Sequence, residues 1–207
     1  MGINTSAHWT RHYRKLRLPC AQMCRDYLGP DYRTARPKCL FVLRETNDWP
    51  GGDLSDMLPD RPKGSTWHNV GRWSAGILGH FPPFASVDNQ EAICNALSQI
   101  AAINLKKITG SANADGAIIN AFAHQDRKLL QREIRELAPD IIIACGTVSP
   151  LIWLLDLDVS LRQQADALSK PIRYRNGWVI PFRHPSRANK RKTYQKIKRL
   201  YTGLKSA

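Results

Sequence analysis

"DIIIACGTVSPLIWLL", residues 140–155, begins as an unbroken apolar run, breaks at Gly146-Thr147, and resumes as a second apolar segment with Pro150 near its start. The first half does not alternate with polar residues. A strand that is apolar at every position is buried on both faces, as in a parallel sheet covered by helices on either side. The break then turns the chain sharply, and the second half starts a helix. Three further runs share this character: "CLFVL" at 39–43, "IAAIN" at 100–104 and "GWVIPF" at 177–182. Segments of helical period lie between them, over 66–79, 89–98 and 126–137. In the last of these, Leu129, Leu130, Ile134 and Leu137 trace one face and Asp126 stands as the N-cap. A final helix over 190–204 sets Tyr194, Ile197, Leu200, Tyr201 and Leu204 against the core and leaves its other face basic. The alternation predicts a three-layer α/β/α fold with a central parallel sheet of about four strands, each followed by a helix.

A chain of 207 residues with 43% apolar content can bury one good core, so one domain is expected over 1–207. Its basic N-terminal helical extension covers about 1–37 and its core about 38–207. Lysine and arginine outnumber the acids 31 to 17, giving a net charge of +14 and a pI near 9.9. Such an excess points to a polyanionic partner. The charge is concentrated: residues 182–207 hold nine lysines and arginines and no acid, and Arg11, Arg14, Lys15 and Arg17 form a second group. No run approaches the roughly 20 apolar residues of a membrane span, and the first residues lack the apolar centre of a signal peptide. The expectation is a cytoplasmic, monomeric protein that binds DNA and not membrane. The five cysteines are odd in number and irregular in spacing, the pattern of reduced thiols. Cys20 and Cys24 share a predicted helix, but no second close pair of Cys or His completes a metal site. No phosphate-binding loop, dinucleotide fingerprint or Gly-x-Ser-x-Gly occurs, so neither a metal nor a small-molecule cofactor is expected.

In open parallel sheets, ligands bind beyond the carboxyl ends of the strands. The first strand end delivers Glu45, Thr46, Asn47 and Asp48, followed by Trp49. The second delivers Asn104, Lys106 and Lys107, and the third Gly146 and Thr147. The fourth delivers Arg183, His184, Pro185, Ser186 and Arg187. A carboxylate, two asparagines and a histidine around one pocket suit a reaction in which water attacks and negative charge develops on a leaving group. An asparagine amide also reads a base edge, offering a donor and an acceptor side by side.

In this order and context, "VLRETND", "INLKK" and "FRHPSR" resemble the active-site motifs of the uracil-DNA glycosylase superfamily. "DIIIACGTVSPLIWLL" is similar to the strand and helix before the late motif. The resemblance covers about 38–200. It implies a monofunctional DNA glycosylase that flips a base out of the duplex and hydrolyses its N-glycosidic bond, leaving an abasic site. One of Glu45, Asn47 and Asp48 would then position or activate the water. Asn104 would read the flipped base, with Trp49 and Trp67 at the pocket wall, and His184 would stabilise the departing anion. Residues 185–190 would press into the duplex, with Lys106, Lys107, Arg183, Ser186, Arg187, Lys190, Arg191 and Lys192 as DNA contacts. The first motif departs from the Gly-Gln-Asp-Pro-Tyr, Gly-Met-Asn-Pro-Gly and Gly-Glu-Ala-Pro-Gly patterns of the main branches. The stretch after it, including the polar loop "DLSDMLPDRPKGS", reads as an open wall. The favoured substrate is therefore a cytosine enlarged at C5, hydroxymethylated or glucosylated as in some phage DNA, which would make the role antiviral. Uracil, hypoxanthine or another deaminated base in repair is the alternative.

Each assignment has a plainer counterpart. His184 suits a strand end, Asn104 a helix cap, and Glu45 an ion pair with Arg44 or another base. Trp67 and Trp73 suit the core, as does Trp153. At the level of function, the rivals are a non-catalytic DNA-binding module and a small-molecule or nucleotide hydrolase in the same type of cleft.

Overall fold

The computed structural model describes residues 6–47, 51–111, 113–158 and 169–206. Four strands, β3 (Cys39–Leu43), β5 (Ile100–Asn104), β6 (Ile141–Cys145) and β8 (Gly177–Phe182), coincide with the four apolar runs to within one residue. They pair in parallel in the order β5-β3-β6-β8. Two short strands complete a six-stranded, mostly parallel sheet. β2 (Tyr27–Leu28) joins β5, and β7 (Ile172–Tyr174) joins β8, both antiparallel. A separate two-residue pairing links β1 (Cys24–Arg25) to β4 (Gly52–Asp53).

Successive residues of β3 point to opposite faces, as the pleat requires. Cys39, Phe41 and Leu43 enter one core cluster, and Leu40 and Val42 enter the other. The first cluster is closed by α2 (Gly64–Leu78), α4 (Gln90–Leu97) and the last helix, α8 (Lys190–Thr202), through residues such as Trp73, Ile93 and Tyr194. The second is closed by α1 (Ser6–Lys15), α5 (Gly116–Gln125), α6 (Arg127–Leu137) and α7 (Val148–Leu154). A four-residue helix, α3 (Phe84–Val87), links α2 to α4. The fold is α/β, with helices on both faces of the sheet. Each fully buried Leu, Ile or Phe contributes about 1.5–3 kcal/mol.

Several local expectations are corrected. Asp126 does sit at the start of α6, but its carboxylate makes no capping bond. It is committed instead to Tyr13 Oη at 2.8 Å and His12 Nε2 at 2.7 Å, which tie α1 to α6. Cys20 and Cys24 do not share a helix: Cys20 lies in a short 3-10 turn and Cys24 in β1. Trp73 is fully buried, whereas Trp153 is half-buried and stacks on His124 with centroids 3.7 Å apart. The loop expected as an open polar wall is packed, with Leu54, Met57 and Leu58 in the first core cluster. Among the described residues, no helix is long and apolar enough to cross a membrane.

The register sets the site. Leu43 is level with Asn104, and Cys145 with Phe182, so all four parallel strands end on one rim. The chain leaves β3 for the layer of α2 and leaves β6 for the layer of α7. These adjacent strands therefore part above a crevice, where such sheets bind ligands.

Candidate active site

A cleft of about 500 Å³ opens on that rim. Glu45, Asn47, Trp67, Asn104, His184, Ser186 and Arg187, drawn from three strand ends and from α2, all line it. Asp48 and Trp49 lie outside the described residues.

Asn104 is 2% exposed, and its backbone N–H donates to Asp26 Oδ1 at 2.8 Å. Its side-chain amide, although on the cleft wall, makes no hydrogen bond to a described residue. A buried amide usually spends its donors and acceptor on the protein. This one is left for whatever fills the cleft.

His184 is fixed by Ser186, two residues further on. The backbone N–H of Ser186 donates to His184 Nδ1 at 3.2 Å, and Ser186 Oγ lies 2.8 Å from the same nitrogen. Nδ1 is thus an acceptor and the ring proton sits on Nε2. Burial first, then the charges of Arg44 and Arg183, pull its pKa down from 6.5 to about 4. At neutral pH the imidazole is an uncharged donor.

The loop carrying these groups is clamped from α2. Asn69, 1% exposed, donates through Nδ2 to the carbonyls of Pro185 at 2.9 Å and Ala188 at 3.2 Å. Arg72 Nη1 holds the other end of the amide at 3.2 Å. Ser65 Oγ accepts the backbone N–H of Arg187 at 3.1 Å, and α2 starts after Lys63 without a side-chain cap. Within the clamp Arg187 takes the left-handed conformation, φ 53°.

Glu45 is paired, as its plainer reading allowed, but with Lys106 and not Arg44. Its carboxylate also lies flat on Gly110, where a Cβ would come within 2.1 Å of Cδ. The adjoining loops are stitched by the Gly110 N–H to the Thr46 carbonyl at 2.8 Å and by a bridge between Asn47 and Gly110.

Two expected DNA contacts are overturned. Lys107 is 1% exposed and buried between Asp26 and Glu133, with its ammonium 4.6 Å from the Trp9 ring. Burial, and next the Glu133 carboxylate, push Asp26 well up from the usual carboxylate range. Lys106 is 8% exposed and spent on Glu45. Neither reaches a phosphate on the surface. Arg183, Arg187, Arg191 and Lys192 are exposed, while Lys190, also exposed, pairs with Asp88 at 2.6 Å. Trp67 is 8% exposed, belonging to the core while forming part of the cleft wall.

Asn69, Gly110 and Arg44 were missed as site residues. Only Asn69 carried a sequence signal: it lies four residues before Trp73 on the buried stripe of α2, where a polar residue needs a reason. No family model matches the chain, and no curated protein is significantly similar to it.

Proposed function

We propose that the cleft is the active site of a monofunctional DNA glycosylase resembling the uracil-DNA glycosylase superfamily. The observation that carries this reading is the pairing in one cleft of the uncommitted Asn104 amide with an imidazole locked as an Nε2–H donor. Their strands are three spacings apart, roughly 14 Å, and both side chains line the cleft above that gap. A flipped base can lie between them, read by Asn104 on one edge and relieved by His184 of the charge it gains. Glu45, with one oxygen held by Lys106, orients the water that attacks C1′ of the deoxyribose. No metal enters this scheme.

Arg183, Arg187, Arg191 and Lys192 supply the sequence-independent grip on phosphates that base flipping requires. The Asn69 clamp makes residues 185–188 a preformed loop that can fill the gap left by the base. The cleft volume falls in the range of about 300–1,000 Å³ typical of sites for drug-sized ligands, more than a bare pyrimidine ring needs. Ser65, Thr66, Ser111 and Asn113 add polar groups along it. These features favour a cytosine bearing a hydroxymethyl or glucosyl group at C5, and hence a role against phage DNA.

The test is abasic-site formation, read by alkaline strand cleavage, in duplexes carrying one uracil, hypoxanthine, hydroxymethylcytosine or glucosylated cytosine. Cleavage at one modified position, lost in Asn104→Ala, is expected. No cleavage of any duplex would overturn the reading. A second reading, a basic module that binds DNA without breaking it, draws on the commitment of Glu45 to Lys106. It is the one favoured if binding is tight and salt-sensitive while no abasic site forms.

A further inference from the structure

Of the three cleft-wall cations with no counter-ion among the described residues, Lys63 and Arg187 are exposed and Arg44 is half-buried. Arg44 follows directly on β3 and lines the cleft, and no described carboxylate pairs with it. The neighbouring acid, Glu45, is committed to Lys106. Arg44 Nε donates to the Gly146 carbonyl at 3.2 Å, so the guanidinium bridges the ends of β3 and β6, where the two crossovers part. Gly146, at φ 70°, makes this possible. A Cβ there would approach the guanidinium to 3.1 Å and would also be strained by the left-handed backbone. One nitrogen of the fork is thus anchored, and the other two donate to no described residue. A half-buried, uncompensated cation is costly unless an anion meets it.

His184 cannot be that cation's substitute, since its Nδ1 is an acceptor and the ring is neutral. The charged groups acting on it are Arg44 and Arg183, and of these Arg44 is on the cleft wall. β3 lies between β5 and β6 in the sheet, so Arg44 emerges between the strands that carry Asn104 and His184.

We propose that Arg44 is a catalytic residue, the cation that holds the negative charge of the departing base. The proposal rests on the glycosylase reading. In the step, the C1′–N bond breaks and both its electrons stay on the base, spread over its ring nitrogen and carbonyl oxygen. The water oxygen bonds to C1′, its proton passes to Glu45 and then to solvent, and the base anion is protonated by solvent after release. Arg44 supplies charge and His184 a directed hydrogen bond, a division that lets the site stabilise an anion without a protonated histidine. Loss of one such preorganised donor lowers rates by about 100- to 1,000-fold.

The experiment compares Arg44→Met and Arg44→Lys with the wild type in single-turnover base release, and follows the His184 ring signals by NMR from pH 3 to 8. In Arg44→Met, release should fall roughly 100-fold or more with DNA affinity held within a few fold, and the His184 midpoint should rise above about 4 while staying below 6.5, since burial, the larger cause, is unchanged. Arg44→Lys should recover part of the rate and keep the midpoint low. Release in Arg44→Met within threefold of wild type would overturn the proposal. So would equal loss in both variants with an unmoved His184 midpoint, the signature of a purely structural residue. A wild type that releases no base from any DNA fails at the glycosylase reading itself, and the proposal falls with it.

Discussion

Replacing Asn69 by alanine removes two of the three hydrogen bonds that hold residues 185–188 against α2, leaving only the one from the Arg187 N–H to Ser65. The buried Pro185 carbonyl keeps only the long 3.4 Å bond from the Ala188 N–H, and each of the two lost bonds is worth about 0.5–1.5 kcal/mol. The expected loss of stability is therefore about 1–3 kcal/mol, measured as a lower urea midpoint at unchanged slope. The same clamp holds Arg187 in a left-handed conformation that costs of order 1–3 kcal/mol. Since strain and clamp are of similar size, the loop should relax once the clamp is gone, carrying Ser186 away from His184. Base release should then fall at least tenfold even at temperatures where the variant is fully folded. Asn69→Asp keeps the shape but sets acceptors against two carbonyls, and it should be no better than alanine. Stability within about 0.5 kcal/mol of wild type in both variants, the size of an ordinary surface change, would refute the clamp.

Gly110→Ala forces the Glu45 carboxylate aside, and base release should drop roughly 100-fold with DNA affinity retained; full activity would free Glu45 from its role. The folded pKa of His184, about 4, lies below its unfolded value of 6.5, so its contribution to stability is present above about 6.5 and lost as pH falls toward 4. Activity limited by this group should accordingly hold from pH 8 to pH 5 and fall only near 4, and a midpoint at 6.5 would contradict the locked tautomer. Lys107→Met strands the Asp26 and Glu133 carboxylates and should cost about 3–5 kcal/mol of stability, while the salt dependence of DNA binding measured on the folded fraction stays the same. Neutralising Arg187, Arg191 and Lys192 together should flatten that salt dependence by about one unit of slope per lost phosphate contact; an unchanged slope would move the DNA face elsewhere.

The central strands were legible because burial on both faces leaves a short, unbroken apolar run. The edge strands β2 and β7, at two and three residues, are too short to carry a pattern. Glu45, Asn104 and His184 could be found because each lies at or just past a strand end, and topology then gathers such positions on one rim. Lys106 and Lys107 were misread for the converse reason. A lysine at a strand end looks solvent-seeking until its partner is known, and Asp26 and Glu133 lie 81 and 26 residues from Lys107. Asn69 and the loop it clamps are 116 residues apart. Arg44 drew attention only as a possible partner of Glu45, and the sequence holds no hint that Lys106 takes that place.

The most direct test of base excision is to incubate the purified protein with plain, uracil-containing, and hydroxymethylated or glucosylated phage DNA, and to identify free bases in the filtrate by mass spectrometry. One base should appear, from the DNA that contains it, in amounts matching the abasic sites formed, and it should vanish in His184→Ala. Tight, salt-sensitive binding to every DNA with no base in any filtrate would contradict excision and leave the cleft a binding pocket.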